Sequence, residues 1–233
     1  MNYLANFLTL LSLVCGFVSI IFSLESQFTF ACWAIILSVI FDGLDGQVAR
    51  KNPMPSEFGK ELDSLVDVIS FGIAPSILGY IFIYREFYLW ATLALFVYLL
   101  CSVMRLAKYN VTPKDKLANY FYGLPTTVSG GALASFILIY RKKGSMPLAE
   151  FVPFIFLVIV LILAFLMVSR VKYLNLDGLK QLLGSRIKLT FFTLAILLIL
   201  AAFLRRAGIA TFLLFLIYLI FSPFVVKRLD NTR

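Results

Sequence analysis

Four of the seven aspartates in this chain fall in one stretch, FDGLDGQVARKNPMPSEFGKELDSLVDVISFG. Asp42 and Asp45 are three residues apart, and Asp63 and Asp67 are four apart. On a helix both spacings put the two side chains on one face. The short connection between the pairs carries Pro53 and Pro55 and turns the chain back, so four carboxylates converge at one end of two neighbouring helices. Converging carboxylates repel one another and call for a positive partner. Histidine is absent, and the three cysteines, Cys15, Cys32 and Cys101, sit in apolar segments without ligand spacing. An oxygen-only donor set of this kind selects a hard cation, Mg²⁺ or Mn²⁺ ahead of Ca²⁺, with room for one or two ions. Paired ions of that type commonly clamp the oxygens of a phosphoryl-transfer reaction. The lack of histidine also removes Ser-His triads, His/Cys zinc sites and histidine proton shuttles from the chemistry open to this chain.

The elements that must position these aspartates are membrane helices. The chain has 233 residues, 61% hydrophobic and 14% charged, far more apolar than a soluble domain. Hydropathy predicts an all-α integral membrane protein with eight transmembrane helices, at 4–23, 29–49, 62–84, 87–107, 119–140, 150–169, 189–204 and 207–226. They form a single polytopic domain over 1–233, with a core over about 1–170 and an appended C-terminal hairpin over about 189–226. The N-terminal segment lacks a basic region and a small-residue cleavage site, and reads as a retained helix. Placing both termini on one side divides the 21 Lys and Arg into fifteen there and six opposite, which predicts cytoplasmic termini and a cytoplasmic loop 50–61 in the cell membrane. The net charge of +9 is read as topology and contact with anionic membrane lipids, not as a nucleic-acid footprint.

Small residues flank the acidic ones. Gly46 lies four residues after Asp42, Ala49 four after Asp45, and Gly59 four before Asp63. A helix face with carboxylates and little bulk admits a ligand close to the backbone, although small residues also serve helix packing in membranes.

The string Asp42, Asp45, Gly46, Ala49, Arg50, Gly59, Asp63, Asp67 fits without a gap the pattern D-x2-D-G-x2-A-R-x8-G-x3-D-x3-D, and so the chain resembles the CDP-alcohol phosphotransferase family. The segments RLAKYNV (105–111), YFYGLPTT (120–127) and SRVKYLNL (169–176), with the two extra C-terminal spans, resemble one branch of it, the bacterial and archaeal phosphatidylserine synthases. Near the N-terminus Asn6, Thr9 and Gly16 fall in register with that family's P-N-x2-T-x6-G, while Ala5 stands where proline is usual. The resemblance implies a six-helix core and a homodimer. It also implies transfer of a phosphatidyl group from CDP-diacylglycerol or CDP-archaeol to the L-serine hydroxyl, with release of CMP. Residue by residue, it implies that Asp42, Asp45 and Asp63 ligate metal and that Asp67, close to the metal, serves as general base. Asn6, Thr9, Asp42, Gly46, Ala49, Arg50 and Gly59 would then form the CDP-lipid side, with Gly46 and Ala49 under the cytidine and Lys51 near phosphate or the motif loop.

Other roles follow from the needs of the chemistry. A serine hydroxyl is a weak nucleophile and needs a carboxylate base; for Asp67 a purely ligating role is the alternative. Arg105, Lys108 and Asn110 follow the fourth span on the same side and suit the serine carboxylate and ammonium, while Arg105 could instead be a snorkelling anchor. The Gly-Leu-Pro turn at 123–125 is expected to break the fifth span where a cavity is lined. Two other functions compete: a sister transferase acting on glycerol 3-phosphate or inositol phosphate, and a divalent-ion transporter built on intramembrane aspartates.

Overall fold

A computed structural model describes residues 3–50, 57–112, 120–141, 151–174 and 207–231. The described residues are almost entirely helical: α1 (Tyr3–Leu24), α2 (Phe28–Arg50), α3 (Glu57–Asp67), α4 (Ala74–Val111), α5 (Thr126–Arg141), α6 (Val152–Val168) and α7 (Ala207–Asn231). Among the described residues, five stretches are long and apolar enough to cross a membrane: Tyr3–Leu24, Phe28–Ala49, Glu57–Ile83, Tyr88–Val111 and Gly208–Lys227. With the shorter apolar α5 and α6 they make a polytopic membrane bundle. The predicted span 189–204 lies outside the described residues.

α1 and α2 form an antiparallel pair joined through Ser26, whose φ of 58° makes the tight turn. Buried hydroxyls bridge their interface, as polar side chains do between membrane helices. Ser12 and Ser38 lie 2.7 Å apart through their Oγ atoms, and Ser19 Oγ donates to the Ala31 carbonyl at 2.9 Å. Between α3 and α4 the helix widens into a π-helical turn, Val68–Ile73, directly after Asp67. This turn packs tightly on α1: a Cβ on Gly16 would lie 2.5 Å from Ser70 Oγ and 2.9 Å from Ser70 Cα. The wider turn also offers the Phe71 carbonyl to the buried Tyr98 hydroxyl at 2.9 Å.

α4 runs as two antiparallel arms. Ser76 Oγ reaches the Leu95 carbonyl at 3.5 Å, and a Cβ on Gly72 would touch both Leu99 and Ser102 at 3.1 Å. The reversal therefore falls between Ile83 and Tyr88, where the third and fourth predicted spans meet. The three cysteines are free, Cys32 buried and the other two partly so, as packing residues should be.

The fifth span departs from expectation. Helix was expected over 119–140, but Tyr120–Tyr122 is a short strand, β1, and α5 begins only at Thr126. β1 pairs antiparallel with β2 (Lys172–Leu174), Tyr120 opposite Leu174 and Tyr122 opposite Lys172. Gly123 supplies the reason, with φ +78° and no space for a side chain, since a Cβ there would run into the Met167 carbonyl. The Gly123 amide then donates to the Val171 carbonyl, just before β2, at 2.8 Å, and the Leu124 amide donates to the Leu166 carbonyl at 3.0 Å, tying the turn to the end of α6. α7 packs on α5 and β2, and the absence of a side chain on Gly131 admits the Phe215 ring.

Candidate functional site

The aspartate-bearing ends of α2 and α3 open on a cavity of about 540 Å³. Asp42, Asp45, Gly43 and Gly46 of α2 line it with Asp63, Asp67, Ser64 and Lys60 of α3. Further walls come from Arg105, Tyr109 and Asn110 at the end of α4, from Phe121, from Thr126 at the start of α5, and from Leu174. A last wall is a face of α7, including Tyr218 and Ser222.

Asp42, Asp63 and Asp67 each present an oxygen to a cluster whose members all lie within 4.8 Å of one another. The i, i+4 spacing of Asp63 and Asp67 on α3, and the packing of α2 and α3 on α1, bring together three of the four carboxylates expected to converge. Asp45 lies in the same cavity, buried, but its Oδ2 accepts a 2.8 Å hydrogen bond from Thr9 Oγ1 of α1. Thr9 is therefore connected to the cavity through Asp45.

A second chain of contacts starts at Asp67. Its Oδ2 accepts from Thr126 Oγ1 at 3.4 Å, and Thr126 Oγ1 in turn accepts from Arg105 Nη1 at 3.1 Å. Because α5 starts at Thr126, the positive end of its helix dipole also faces this carboxylate. Three buried polar atoms on the cavity wall have no hydrogen-bond partner among the described residues: Asp67 Oδ1, Arg105 Nε and Asn110 Oδ1. Such orphans are costly without a ligand. Asn110 is otherwise well held, with Nδ2 donating to Ser64 Oγ at 2.9 Å and Lys60 Nζ donating to its carbonyl at 2.8 Å.

Four carboxylates and two cationic side chains, Lys60 and Arg105, line the cavity, leaving a formal excess of two negative charges. The donor set fits a divalent cation: oxygen donors only, three of them convergent.

The remaining predicted residues divide. Gly46 lines the cavity, whereas Ala49 is exposed, and Asn6 and Gly59 are half-buried outside the lining. The side chain of Arg50 and the whole of Lys51 lie outside the described residues. Arg105 and Asn110 reach the cavity, but Lys108, between them, is exposed and outside its lining. Sequence reasoning missed Ser64, Thr126, Leu174, Tyr218 and Ser222. The Thr-Thr pair after the Gly-Leu-Pro turn was a visible signal for Thr126. For Tyr218 and Ser222 the only signal was two polar side chains one turn apart in an apolar span.

This bundle carries, at the mouth of its helices, an acidic cavity whose carboxylates are suited to a divalent cation. Residues 2–155 match the family described as CDP-alcohol phosphatidyltransferase, and the chain belongs to that family. Three relatives extend the likeness. The CDP-diacylglycerol–serine O-phosphatidyltransferase of Helicobacter pylori is 33% identical over 75% of this chain and 73% of its own. The archaetidylserine synthase of Methanothermobacter thermautotrophicus is 35% identical over 75% and 71%. The CDP-diacylglycerol–serine O-phosphatidyltransferase of Bacillus subtilis is 30% identical over 74% and 90%.

The geometry separates the aspartates by their partners. Asp42→Asn and Asp63→Asn are expected to weaken Mn²⁺ binding, read by the free-ion paramagnetic resonance signal, by more than about 100-fold. Thr9→Val, acting only through Asp45, is expected to weaken it by about tenfold, since residues that orient ligands usually contribute about 10–100-fold. Undiminished Mn²⁺ binding in the Asp42 and Asp63 variants would remove the metal reading.

Proposed function

We propose that this protein transfers the phosphatidyl group of CDP-diacylglycerol or CDP-archaeol to the hydroxyl of L-serine and releases CMP. The observation that carries the reading is one cavity in which the carboxylate cluster, with its unpartnered Asp67 Oδ1, is joined through Thr126 to Arg105. The bacterial and archaeal relatives, all named for serine transfer, support the acceptor and both lipid types.

Asp42, Asp45 and Asp63 would hold one or two Mg²⁺ or Mn²⁺ ions, with Asp67 beside them. An ion bound there supplies positive charge against the donor's pyrophosphate and the departing CMP. Asp67 Oδ1 takes the proton of the serine hydroxyl as its oxygen forms a bond to the lipid-side phosphorus. The bond from that phosphorus to the CMP oxygen breaks, and CMP leaves with the electron pair. Thr126, donating to Oδ2, keeps the carboxylate turned so that Oδ1 faces the acceptor. The unpartnered Arg105 Nε donates to the serine carboxylate, and Asn110 Oδ1 accepts from its ammonium group. In this reading Lys108 makes no contact with serine. Gly43 and Gly46 leave the α2 side of the cavity open for the nucleotide. The reading also includes a homodimer.

A phosphate-bearing acceptor would call for more positive charge than Lys60 and Arg105 supply. In purified protein with CDP-diacylglycerol and Mn²⁺, CMP release is therefore expected with serine and not with glycerol 3-phosphate. Arg105→Ala is expected to raise the KM for serine about 10–100-fold, the loss of a charge-assisted hydrogen bond worth roughly 1.5–3 kcal/mol, and to leave that for CDP-lipid nearly unchanged. A preference for glycerol 3-phosphate, or equal effects on both substrates, would overturn the assignment of the acceptor.

The reaction is proposed to occur at the cytoplasmic face, on the strength of the fifteen-to-six division of Lys and Arg. In a chain freed of its native cysteines, Glu57→Cys should react with a membrane-impermeant thiol reagent from the cytoplasmic side and Glu25→Cys from the opposite side. The reverse pattern would invert the topology.

A further inference from the structure

The family match ends at residue 155, yet one face of the C-terminal helix forms a wall of the cavity. Ile217, Tyr218, Phe221, Ser222 and Val225 recur at helical spacing along that face. Two of them bind the same residue across the cavity rim. The Tyr218 hydroxyl donates to the carbonyl of Leu174 at 2.8 Å, and the amide of Leu174 donates to Ser222 Oγ. Both backbone polar groups of Leu174 are thus held by side chains one helical turn apart. The Tyr173 and Tyr218 rings stack beside this clasp, with centroids 6.1 Å apart.

Leu174 ends β2, and β2 pairs with β1 in a two-stranded sheet of three residues per strand. A sheet of that size has little stability of its own. The Gly123 amide extends the pairing to the Val171 carbonyl, and the strap is pinned at one end by the hydrogen bond of Leu124 to Leu166 of α6 and at the other by Tyr218 and Ser222. Four residues beyond β1 the same segment reaches Thr126, which joins Arg105 to Asp67. Phe121 of the strap and Leu174 both face the cavity.

We propose that Tyr218 and Ser222 are positioning residues for the transfer: by clasping Leu174 they hold the β1–β2 strap across the acceptor side of the cavity, so that the phosphatidyl group passes to the bound alcohol and not to water. This rests on the function proposed above. Water is the competing nucleophile at the same phosphorus. Its oxygen would bond to that phosphorus, CMP would leave with the electron pair, and the lipid product would be phosphatidate instead of the phosphatidyl alcohol. A strap of apolar side chains over the site disfavours that outcome by excluding water, and it holds Thr126 and Arg105 where the alcohol binds.

The test uses the full-length protein in lipid nanodiscs with CDP-diacylglycerol, Mn²⁺ and serine, and reads CMP, phosphatidylserine and phosphatidate together. The wild type is expected to form phosphatidylserine almost exclusively. Tyr218→Phe with Ser222→Ala removes both hydrogen bonds and almost no volume. It is expected to raise the phosphatidate-to-phosphatidylserine ratio about tenfold and the KM for serine by a similar factor, the combined effect of two neutral hydrogen bonds. The KM for CDP-diacylglycerol should stay within about twofold, and Phe224→Ala, exposed on α7 outside the cavity lining, should change nothing. The product ratio is counted per turnover and does not depend on how much of a variant is folded. If the double variant yields no folded protein, Tyr218→Phe and Ser222→Ala are read singly by the same ratio. An unchanged ratio with an unchanged serine KM, in variants that still release CMP, overturns the positioning role. Absence of CMP release by the wild type with serine would instead overturn the proposed function and is read separately.

Discussion

Asp42, Asp63 and Asp67 bring carboxylate oxygens within 4.8 Å of one another on helices apolar enough to cross a membrane. Like charges that close, in a medium that solvates them poorly, are unfavourable unless a shared cation or a proton neutralises them. The neighbouring structure answers to that requirement. Small residues at Gly43 and Gly46 keep the α2 face open, and Thr9 holds Asp45 toward the same cavity from α1. Thr126 and the start of α5 bring a hydroxyl and a positive dipole end to Asp67. Arg105 is close enough to influence the cluster but reaches it through Thr126, so its Nε stays free for a ligand.

The bundle around the site is built by other means. Between helices the contacts are hydroxyl to carbonyl or hydroxyl to hydroxyl, as with Ser12 and Ser38, Ser19 and Ala31, and Tyr98 and Phe71. Such bonds matter where apolar burial gives helices no preference over lipid. The π-helical turn after Asp67 belongs to both systems. It packs Ser70 against Gly16 of α1, and it directly follows Asp67.

Much of this was legible in the sequence. The spacing of the four aspartates foretold that carboxylates gather at one end of these helices; that Asp42, Asp63 and Asp67 cluster while Asp45 turns to Thr9 was not readable from periodicity. The first four spans followed from hydropathy, the only strong force in a chain so apolar. Three features were not legible, for different reasons. The strand at Tyr120–Tyr122 depends on a partner fifty residues away, which no local pattern reveals. Lys108 shares a segment with Arg105 and Asn110, but its position on the helix turns it outward, and charge alone could not say so. The wall formed by α7 required knowing which helix neighbours α5, and apolar spans in a bundle are nearly interchangeable by sequence. The Gly-Leu-Pro turn lay between these cases: the break was foretold, but the strand it released was not.

The account turns on Asp67 being the base that accepts the acceptor's proton, beside ions held chiefly by its neighbours. Asp67→Asn keeps the size and an acceptor oxygen but cannot take a proton. The most direct measurement is its single-turnover rate of CMP release with serine at saturating Mn²⁺, together with its affinity for CDP-diacylglycerol. The account predicts a rate lower by about 10²–10⁴-fold, the usual contribution of a placed general base, with lipid affinity intact. Recovery of the rate on raising Mn²⁺, or loss of CDP-diacylglycerol binding, would contradict it.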